Sequence, residues 1–327
     1  MKKIVFIVIV IVSFLIFSGC IKEKWNTDLL LHSISINNTL YNTRNSGHIA
    51  YADNCLYIST SNNKRIIEIS NNQIRYVDTT TLDVDHTPEG PFVKIFNFNN
   101  ELYAIPISDK NQVLMKYNKN EEKFVETDMG IKPYYDSIFL SDNLWVWKED
   151  INNYNMHIKY NKKEYILNNN TCLFSVFNNV VYFISGDCLY EFSPKEAKPE
   201  SRLLADLDDK NIHSMYVLHD RCYYLSTDGL YRYSFTEKNI KLISDKDVSN
   251  LNIAENKLFF STKNDGIYYV EKDSVKKFSD IGRNSEGIIC LYVVDDTFLY
   301  SYETNGEIYR ISISTGKAEP VLTIGNN

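Results

Sequence analysis

The residues with the clearest capacity for chemistry lie in one acidic segment. Residues 78–90 read Asp-Thr-Thr-Thr-Leu-Asp-Val-Asp-His-Thr-Pro-Glu-Gly. Asp83 and Asp85 place two carboxylates at alternating positions, with Glu89 nearby, and oxygen ligands of this kind hold calcium. Asp-x-Asp alone is too short to specify a metal site, and the glycine and last glutamate of an EF-hand loop are not at their positions. A solvated loop is therefore the preferred interpretation, with a ligand-facing loop and a calcium site as alternatives.

Other patterns in the sequence do not identify a reaction. The chain has no Gly-x-Ser-x-Gly elbow, no His-Glu-x-x-His, no P-loop and no dinucleotide fingerprint. Its six histidines stand far apart, and His157 and His213 fall in strand patterns where a structural histidine is expected. The five cysteines after Cys20 match no zinc spacing and are typical of small buried side chains, with a Cys172–Cys188 bridge left open. We predict no catalytic residue, no metal and no cofactor.

A repeated unit of about 40 residues must position any site in this chain. A polar turn followed by an apolar–aromatic strand occurs seven times, and the ends of these phrases are 46, 42, 37, 41, 36 and 40 residues apart. The seven end residues are Tyr57, Tyr103, Trp145, Tyr182, Tyr223, Phe259 and Leu299. This spacing, with several strands in each period, is typical of a β-propeller. We predict an all-β fold, a seven-bladed β-propeller of four-stranded antiparallel blades.

The turns and aromatic residues give the predicted blade boundaries. Asp228-Gly229 and Asp265-Gly266 favour tight two-residue turns with both residues at positive φ. Aromatic residues recur in every unit, which indicates packing between blades, and no pattern predicts a helix. The predicted blades span residues 45–78, 91–127, 135–168, 172–206, 213–244, 250–279 and 287–324.

The N-terminus predicts export. Lys2 and Lys3 precede an apolar run from Ile4 to Phe17, which is typical of a secretory signal. Ser18-Gly19-Cys20 follows and resembles the lipobox of bacterial lipoproteins, in which the cysteine is lipidated and becomes the new N-terminus. An uncleaved anchor helix is the alternative, but the run is shorter than the ~20 residues that span a bilayer. We expect a signal peptide at 1–19, a lipidated tether at 20–44 with a candidate edge strand at 29–36, and the propeller at 45–327.

The charge limits the classes of partner. The chain has 35 basic and 42 acidic residues, and loss of Lys2 and Lys3 with the signal peptide leaves a net charge of −9. An acidic surface argues against binding nucleic acid or anionic lipid through bulk charge. We expect a monomer on the extracytoplasmic face of the cell membrane, attached through the lipid on Cys20.

The repeated phrase also carries a family resemblance, clearest in Cys222–Tyr233 and Lys257–Val270. At these residues the chain resembles bacterial extracellular and lipoprotein propellers related to the propeller of low-density-lipoprotein receptors, a domain of unknown function. The Tyr-Trp-Thr-Asp signature of the receptor propellers is absent. The resemblance implies a non-catalytic propeller, and it transfers no active-site residue to this chain.

The loop lengths predict where a partner binds. Links between blades and the turns after each second strand emerge on one face of a propeller. The longest link, residues 78–90, lies there next to two long insertions of blades two and three, Pro106–Gln112 and Lys148–Asn155. Because binding residues gather in loops of this kind, we predict a contact region formed by Trp147, Tyr134, Tyr135, Tyr154, Asp83, Asp85 and His86.

The predicted function is that of an interaction module for a protein, peptide or glycan of the cell envelope. The alternative is a propeller enzyme, a lyase or hydrolase with a site at the mouth of the central channel. A scaffold subunit of an envelope complex is a third possibility.

Overall fold

The computed structural model describes most of the chain after residue 38, and every structural statement below concerns those residues. They are 39–45, 47–60, 65–70, 73–82, 93–106, 113–133, 138–148, 155–168, 171–208, 211–263, 265–281, 288–293, 297–303 and 306–323. They form seven four-stranded antiparallel sheets and one short helix. The predicted seven-bladed β-propeller is therefore confirmed. The candidate edge strand at 29–36 lies outside the described residues.

Each blade consists of four strands that follow one another in the sequence. Blades 1 to 3 contain β1 (Ile49–Ala52), β2 (Cys55–Ser59), β3 (Ile66–Ser70), β4 (Gln73–Val77), β5 (Val93–Phe98), β6 (Glu101–Pro106), β7 (Met115–Asn118), β8 (Lys123–Glu126), β9 (Ile138–Leu140), β10 (Leu144–Lys148), β11 (Asn155–Tyr160) and β12 (Lys163–Asn168). Blades 4 and 5 contain β13 (Thr171–Phe177), β14 (Val180–Ser185), β15 (Cys188–Phe192), β16 (Ser201–Asp206), β17 (Ser214–Leu218), β18 (Arg221–Ser226), β19 (Gly229–Ser234) and β20 (Ile240–Ser244). Blades 6 and 7 contain β21 (Val248–Ala254), β22 (Lys257–Thr262), β23 (Gly266–Glu271), β24 (Ser274–Ser279), β25 (Ile288–Val293), β26 (Phe298–Glu303), β27 (Glu307–Ser312) and β28 (Ala318–Thr323).

The strands of a blade become more exposed from the axis of the ring to its rim. All four residues of β1 are buried, whereas most residues of the fourth strands β16 and β20 are exposed or half-buried. Because consecutive strands are antiparallel, the links between blades and the turns after second strands share one side of the ring, which we call the link face. The turns after first and third strands share the other side, the hairpin face.

The tight turns differ from the sequence prediction in their position. Both residues have positive φ in first turns, such as Asp53-Asn54 and Asn99-Asn100, which is the geometry of a type I′ hairpin. Gly229 instead begins β19 at φ 154°, where a Cβ would lie 2.5 Å from the carbonyl oxygen of Ser244. The prediction of an Asp-Gly turn with two positive φ values is therefore wrong there. The glycine lets the fourth strand approach the backbone at a bulge.

Seven apolar clusters lie between the blades, one at each of the seven interfaces among the described residues. Each cluster contains at least one buried tyrosine or phenylalanine among its aliphatic residues, which confirms that the aromatic pattern is packing. Blade 7 takes its fourth strand, β28, from its own end of the chain. The ring is therefore closed by side-chain packing of blade 1 against blade 7, through residues such as Tyr51, Ile58, Tyr292 and Tyr300.

A helix, α1 (Thr39–Arg44), lies on the axis of the ring. Asn42 bonds both backbone groups of Val293 in blade 7, with Nδ2 donating to the carbonyl oxygen (2.7 Å) and Oδ1 accepting from the N–H (2.9 Å). The Nδ2 of Asn45, just after the helix, donates to the carbonyl oxygens of Leu251 (2.8 Å) and Leu291 (2.7 Å). The expectation of a chain without helix was wrong, because six residues are too few to show a 3.6-residue period.

Further contacts of this segment reach blades on the other side of the ring. The Tyr41 hydroxyl and the Ser175 hydroxyl of blade 4 are 2.8 Å apart, and the Tyr41 ring lies 4.6 Å from that of Tyr216 in blade 5. Leu40 is buried in the cluster between blades 3 and 4. The helix thus fills the position that an open central channel would occupy, and it touches blades that are far apart in the sequence.

The contacts also give the direction in which the chain passes through the ring. Asn42 meets Val293, the last residue of its inner strand, at the hairpin end. Gly47, at φ 60°, packs against Lys94 near the link end of β5, where a Cβ on residue 47 would lie 2.8 Å from that of Lys94. His48 then bonds Ser59 at the link end of β2. The chain therefore enters on the hairpin face and leaves on the link face to begin β1.

Candidate functional site

Most of the residues predicted to bind a partner lie outside the described part of the chain. Tyr134, Tyr135, Tyr154, Asp83, Asp85 and His86 fall there, as does the lipidation candidate Cys20. Their roles stay predictions. Trp147 lies within the described residues. Cys188, the candidate disulfide partner of Cys172, is a free thiol.

Trp147 lies near the link end of β10 and is only 6% exposed. Its ring stacks on His157 with centroids 5.0 Å apart and belongs to the apolar cluster between blades 2 and 3. Phe96, Ile105 and Ile138 are in the same cluster. In this conformation the ring contributes to the blade interface, so a role in binding would act through the loop that follows the strand.

We expect Trp147→Ala to destabilise the protein by about 3–5 kcal/mol, the usual cost of removing a buried aromatic side chain. Thermal unfolding followed by circular dichroism should show a midpoint lower by roughly 10 °C. Trp145→Ala in the same strand is the control, because Trp145 is only half-buried and its loss should cost less. Equal midpoints for the Trp147 variant and the unchanged protein would contradict the packing described here.

His48 occupies the axis at the link face and is buried to 2% exposure. Its Nδ1 lies 2.8 Å from the carbonyl oxygen of Ser59, so Nδ1 carries the proton and donates it. Burial lowers the pKa of His48 to about 4; the bond to Ser59 opposes this shift, and the cation of Lys94 adds to it. The imidazole is therefore neutral at pH 7 and packs on the Tyr302 ring at 4.5 Å, as a structural histidine does.

A cleft opens on the hairpin face between blades 1 and 2. Its volume is about 430 Å³, within the range of small-ligand sites. First turns of both blades, the end of β7 and the following turn build it. The lining residues are Ala52, Asp53, Tyr57, Asn100, Glu101, Leu102, Lys116, Tyr117, Asn118, Lys119, Asn120 and Val125.

An ion pair between a buried carboxylate and a more exposed arginine lies close to this cleft. The carboxylate of Glu68, which is 3% exposed, accepts two hydrogen bonds from Arg75, at 2.7 Å from Nε and 2.8 Å from Nη2. Arg75 also donates to Glu122 at 3.0 Å. Burial raises the pKa of the Tyr57 hydroxyl far above its usual value, and neighbouring Cys55 and Glu68 raise it further. This arrangement fixes the facing sides of blades 1 and 2.

The thiol of Cys55 beside the cleft does not suit nucleophilic chemistry. Burial raises its pKa first, and the carboxylate of Glu68 raises it further, although Lys119 acts in the opposite direction. Because the thiolate is the reactive form, a thiol with a raised pKa is a poor nucleophile at neutral pH. Among the described residues, no group of three His, Cys, Asp or Glu side chains could hold a metal ion. The described residues around the cleft therefore offer neither an activated thiol nor a metal-ligand group.

The rim of the cleft is ordered by its own polar contacts. Lys119 pairs with Asp53, and Lys116 pairs with Glu101 at 2.7 Å. The side-chain oxygen of Asn100 accepts a hydrogen bond from the backbone N–H of Asp53 at 2.9 Å, which joins the two blades.

Sequence reasoning missed this cleft because its residues resemble those of other blades. Asn100 is the second residue of a first turn, as Asn54, Asn179 and Asn256 are. The one local signal is the turn after β7, Lys119 to Glu122, which is longer than the two-residue turn Lys272-Asp273 at the same place in blade 6. The contact between this turn and Asp53, made by Lys119, depends on the packing of blade 2 against blade 1.

No protein-family model matches the sequence, and no curated protein matches it. Several solved structures are similar to the fold of this chain. PorZ, described as an essential bacterial surface component of the type-IX secretion system of Porphyromonas gingivalis, is 8% identical with a TM-score of 0.56, covering 84% of this chain and 37% of PorZ. The extracellular domain of the putative one-component system BT4673 from B. thetaiotaomicron is 12% identical with a TM-score of 0.50, covering 85% of this chain and 38% of that one.

A third similar structure belongs to an enzyme. It is a puromycin-hydrolyzing peptidase of Mycobacterium tuberculosis, 8% identical with a TM-score of 0.55, and the match covers 90% of this chain and 56% of the peptidase. At such identities these likenesses show the propeller fold alone. The chain spans about a third to a half of the length of these three proteins. Within the part of the chain that the structure describes, no helix has the length and apolar character that crossing a membrane requires.

Proposed function

We propose that this protein is a membrane-anchored, extracytoplasmic lipoprotein whose propeller binds an envelope protein, peptide or glycan without catalysing a reaction. The observation that carries the proposal is the filled axis. Asn42 and Asn45 form hydrogen bonds to blades 6 and 7 where an open channel would lie. The turn surfaces of the two faces are then the regions left for a partner.

The same observation disfavours the enzyme alternative. A lyase or hydrolase at the channel mouth needs polar groups that converge on an open space near the axis. The Tyr292 hydroxyl donates to the carbonyl oxygen of Asn45 and accepts from the N–H of His48 at 3.2 Å. His48 bonds Ser59. These groups are engaged with one another rather than with a cavity.

The direction of α1 bears on the orientation that we propose for the anchored protein. The described chain enters the axis on the hairpin face, where Thr39 begins α1. If the lipid is on Cys20, the hairpin face lies toward the membrane and the link face points away from it. The signal-like N-terminus supports the anchor, and propeller structures from extracellular and surface proteins are compatible with this location.

The partner class follows from the surface and the resemblance together. The acidic net charge favours partners other than nucleic acid. The resemblance to lipoprotein propellers related to those of low-density-lipoprotein receptors supports a recognition role, and we propose that the protein acts as a monomer.

Replacing Cys20 tests the anchor. We expect Cys20→Ala to move the protein out of the membrane fraction or to leave the precursor uncleaved, because the lipid acceptor is lost. Fractionation and mass spectrometry of the N-terminus give the readout. Cys188→Ala, which removes another free thiol, should leave the distribution unchanged. A Cys20→Ala protein that is still cleaved, lipidated and membrane-bound would refute the proposal.

A further inference from the structure

We propose that the cleft between blades 1 and 2 on the hairpin face binds a neutral saccharide. This inference rests on the proposed function as a binding module, and it names the site and the class of ligand. It does not depend on the anchor at Cys20.

The first argument is the apolar part of the cleft. Ala52, Leu102 and Val125 line it together with Tyr117, whose ring lies edge-on to that of the buried Tyr57 at 6.4 Å between centroids. Tyrosine combines an apolar ring with a hydroxyl, so it can contact a molecule that is apolar on one side and polar on the other. The C–H faces and hydroxyl edges of a pyranose ring have this character.

The second argument is a set of polar groups left open in the cleft. Within the described part of the chain, the Tyr117 hydroxyl, the amide nitrogen of Asn100 and the side chain of Asn120 form no hydrogen bond, although all three residues line the cleft. Amide side chains offer donors and an acceptor side by side. Such a set matches the alternating donors and acceptors of sugar hydroxyls.

The third argument is charge. Both lysines that line the cleft are paired, Lys119 with Asp53 and Lys116 with Glu101. A charged ligand would have to compete with one of these pairs, and the partner left behind would lose its counter-charge. A neutral ligand leaves both pairs intact, so the electrostatics favour a neutral molecule over a phosphate or an acidic peptide.

The elements around the cleft also favour a saccharide over a peptide. Extended peptides often bind by adding a strand to a free sheet edge, where backbone groups supply the affinity. This cleft is lined by turns and by side chains on the facing sides of two blades. It offers side-chain contacts to a compact ligand.

The experiment measures sugar binding to the full-length protein, solubilised in a detergent without a sugar headgroup. N,N′-diacetylchitobiose and cellobiose serve as neutral probes, and inorganic phosphate and an acidic hexapeptide as charged probes, in saturation-transfer NMR and calorimetric titrations. We expect a neutral probe to bind and the charged probes not to bind.

Two variants assign the binding to the cleft. Asn100→Asp replaces the open amide nitrogen, and Tyr117→Phe removes only the hydroxyl. Each should lower the affinity about tenfold, since a lost hydrogen bond is worth roughly that factor. The matched controls are Asn179→Asp, at the same turn position in blade 4 with φ 60° against 62° for Asn100, and Tyr160→Phe, at the same strand position in blade 3. Both controls should bind as the unchanged protein does.

Three results would overturn the inference. They are no binding of a neutral probe, binding that the cleft variants do not weaken relative to their controls, and preferential binding of the phosphate or the peptide. Thermal midpoints of all four variants show whether each is folded, and Tyr117→Phe keeps the assay informative if the aspartate disturbs the turn. Capture of an envelope protein by a chain that binds no saccharide would leave the proposed function standing.

Discussion

Replacing Asn42 and Asn45 together by alanine is expected to destabilise the ring by about 3–9 kcal/mol. The side chains bond the N–H and C=O of Val293 and the C=O of Leu251, and a buried backbone group left without its partner costs about 1–3 kcal/mol. The free energy of unfolding of a domain is about 5–15 kcal/mol in total. The double variant should therefore lose a large part of it. Denaturant titration followed by tyrosine and tryptophan fluorescence measures the loss.

A matched control distinguishes the loss of the axial hydrogen bonds from a general effect of replacing two asparagines. Asn120 and Asn211 are both exposed, and their double replacement by alanine makes the same change in composition away from the axis. Its unfolding midpoint should stay close to that of the unchanged protein. If the two double variants were equally stable, the helix would have no part in holding the ring.

Deleting one blade, residues 250–286, is expected to abolish soluble expression. The deletion removes most of β21 and all of β22 to β24. It takes away the apolar residues that face blades 5 and 7, among them Leu258, Phe259 and Phe260. Two apolar blade faces would then be exposed, and exposed patches and open strand edges promote aggregation. The soluble fraction and gel filtration measure the outcome. A soluble monomer with undiminished β content per residue would show that the blades do not depend on a closed ring.

The blades could be predicted from the sequence because each one repeats a local pattern. Short apolar and aromatic runs, such as those of β18 and β22, mark the inner strands. Pairs of Asn and Asp mark many of the turns between them. The fourth blade illustrates this, since 172–206 was predicted and the strands run from Thr171 to Asp206. Both faces of a blade are buried against its neighbours, so the aromatic residues of one unit correspond to those of the next.

The axis could not be predicted in the same way. Helix α1 has six residues, and its formation depends on carbonyl groups of blades 6 and 7 that are more than 200 residues away. A local signal does exist, because Arg44 and Gly47 fit the end of a helix, where a basic residue and a glycine are favoured. That signal alone gives neither the position on the axis nor the direction of the chain.

The cleft, like the axial helix, depends on contacts between residues that are distant in the sequence. Asn100 and Tyr117 occupy positions that recur in other blades, and only the approach of Lys119 to Asp53 across the interface brings them together. The lengths of the loops favour the link face instead. Of the residues predicted to bind a partner on that face, the structure describes Trp147. Its side chain is buried in the interface between blades 2 and 3.

Hydrogen exchange of the full-length protein tests most directly whether its own helix fills the axis. The N–H of Asn45 bonds Tyr41, that of Gly47 bonds Asn42, and that of Ile95 bonds Gly47. We predict that these three amides exchange as slowly as those of the inner strands, because they open only when the ring unfolds. Fast exchange at residues 45 and 47, with the inner strands still protected, would contradict a filled axis and with it the argument for binding at the faces.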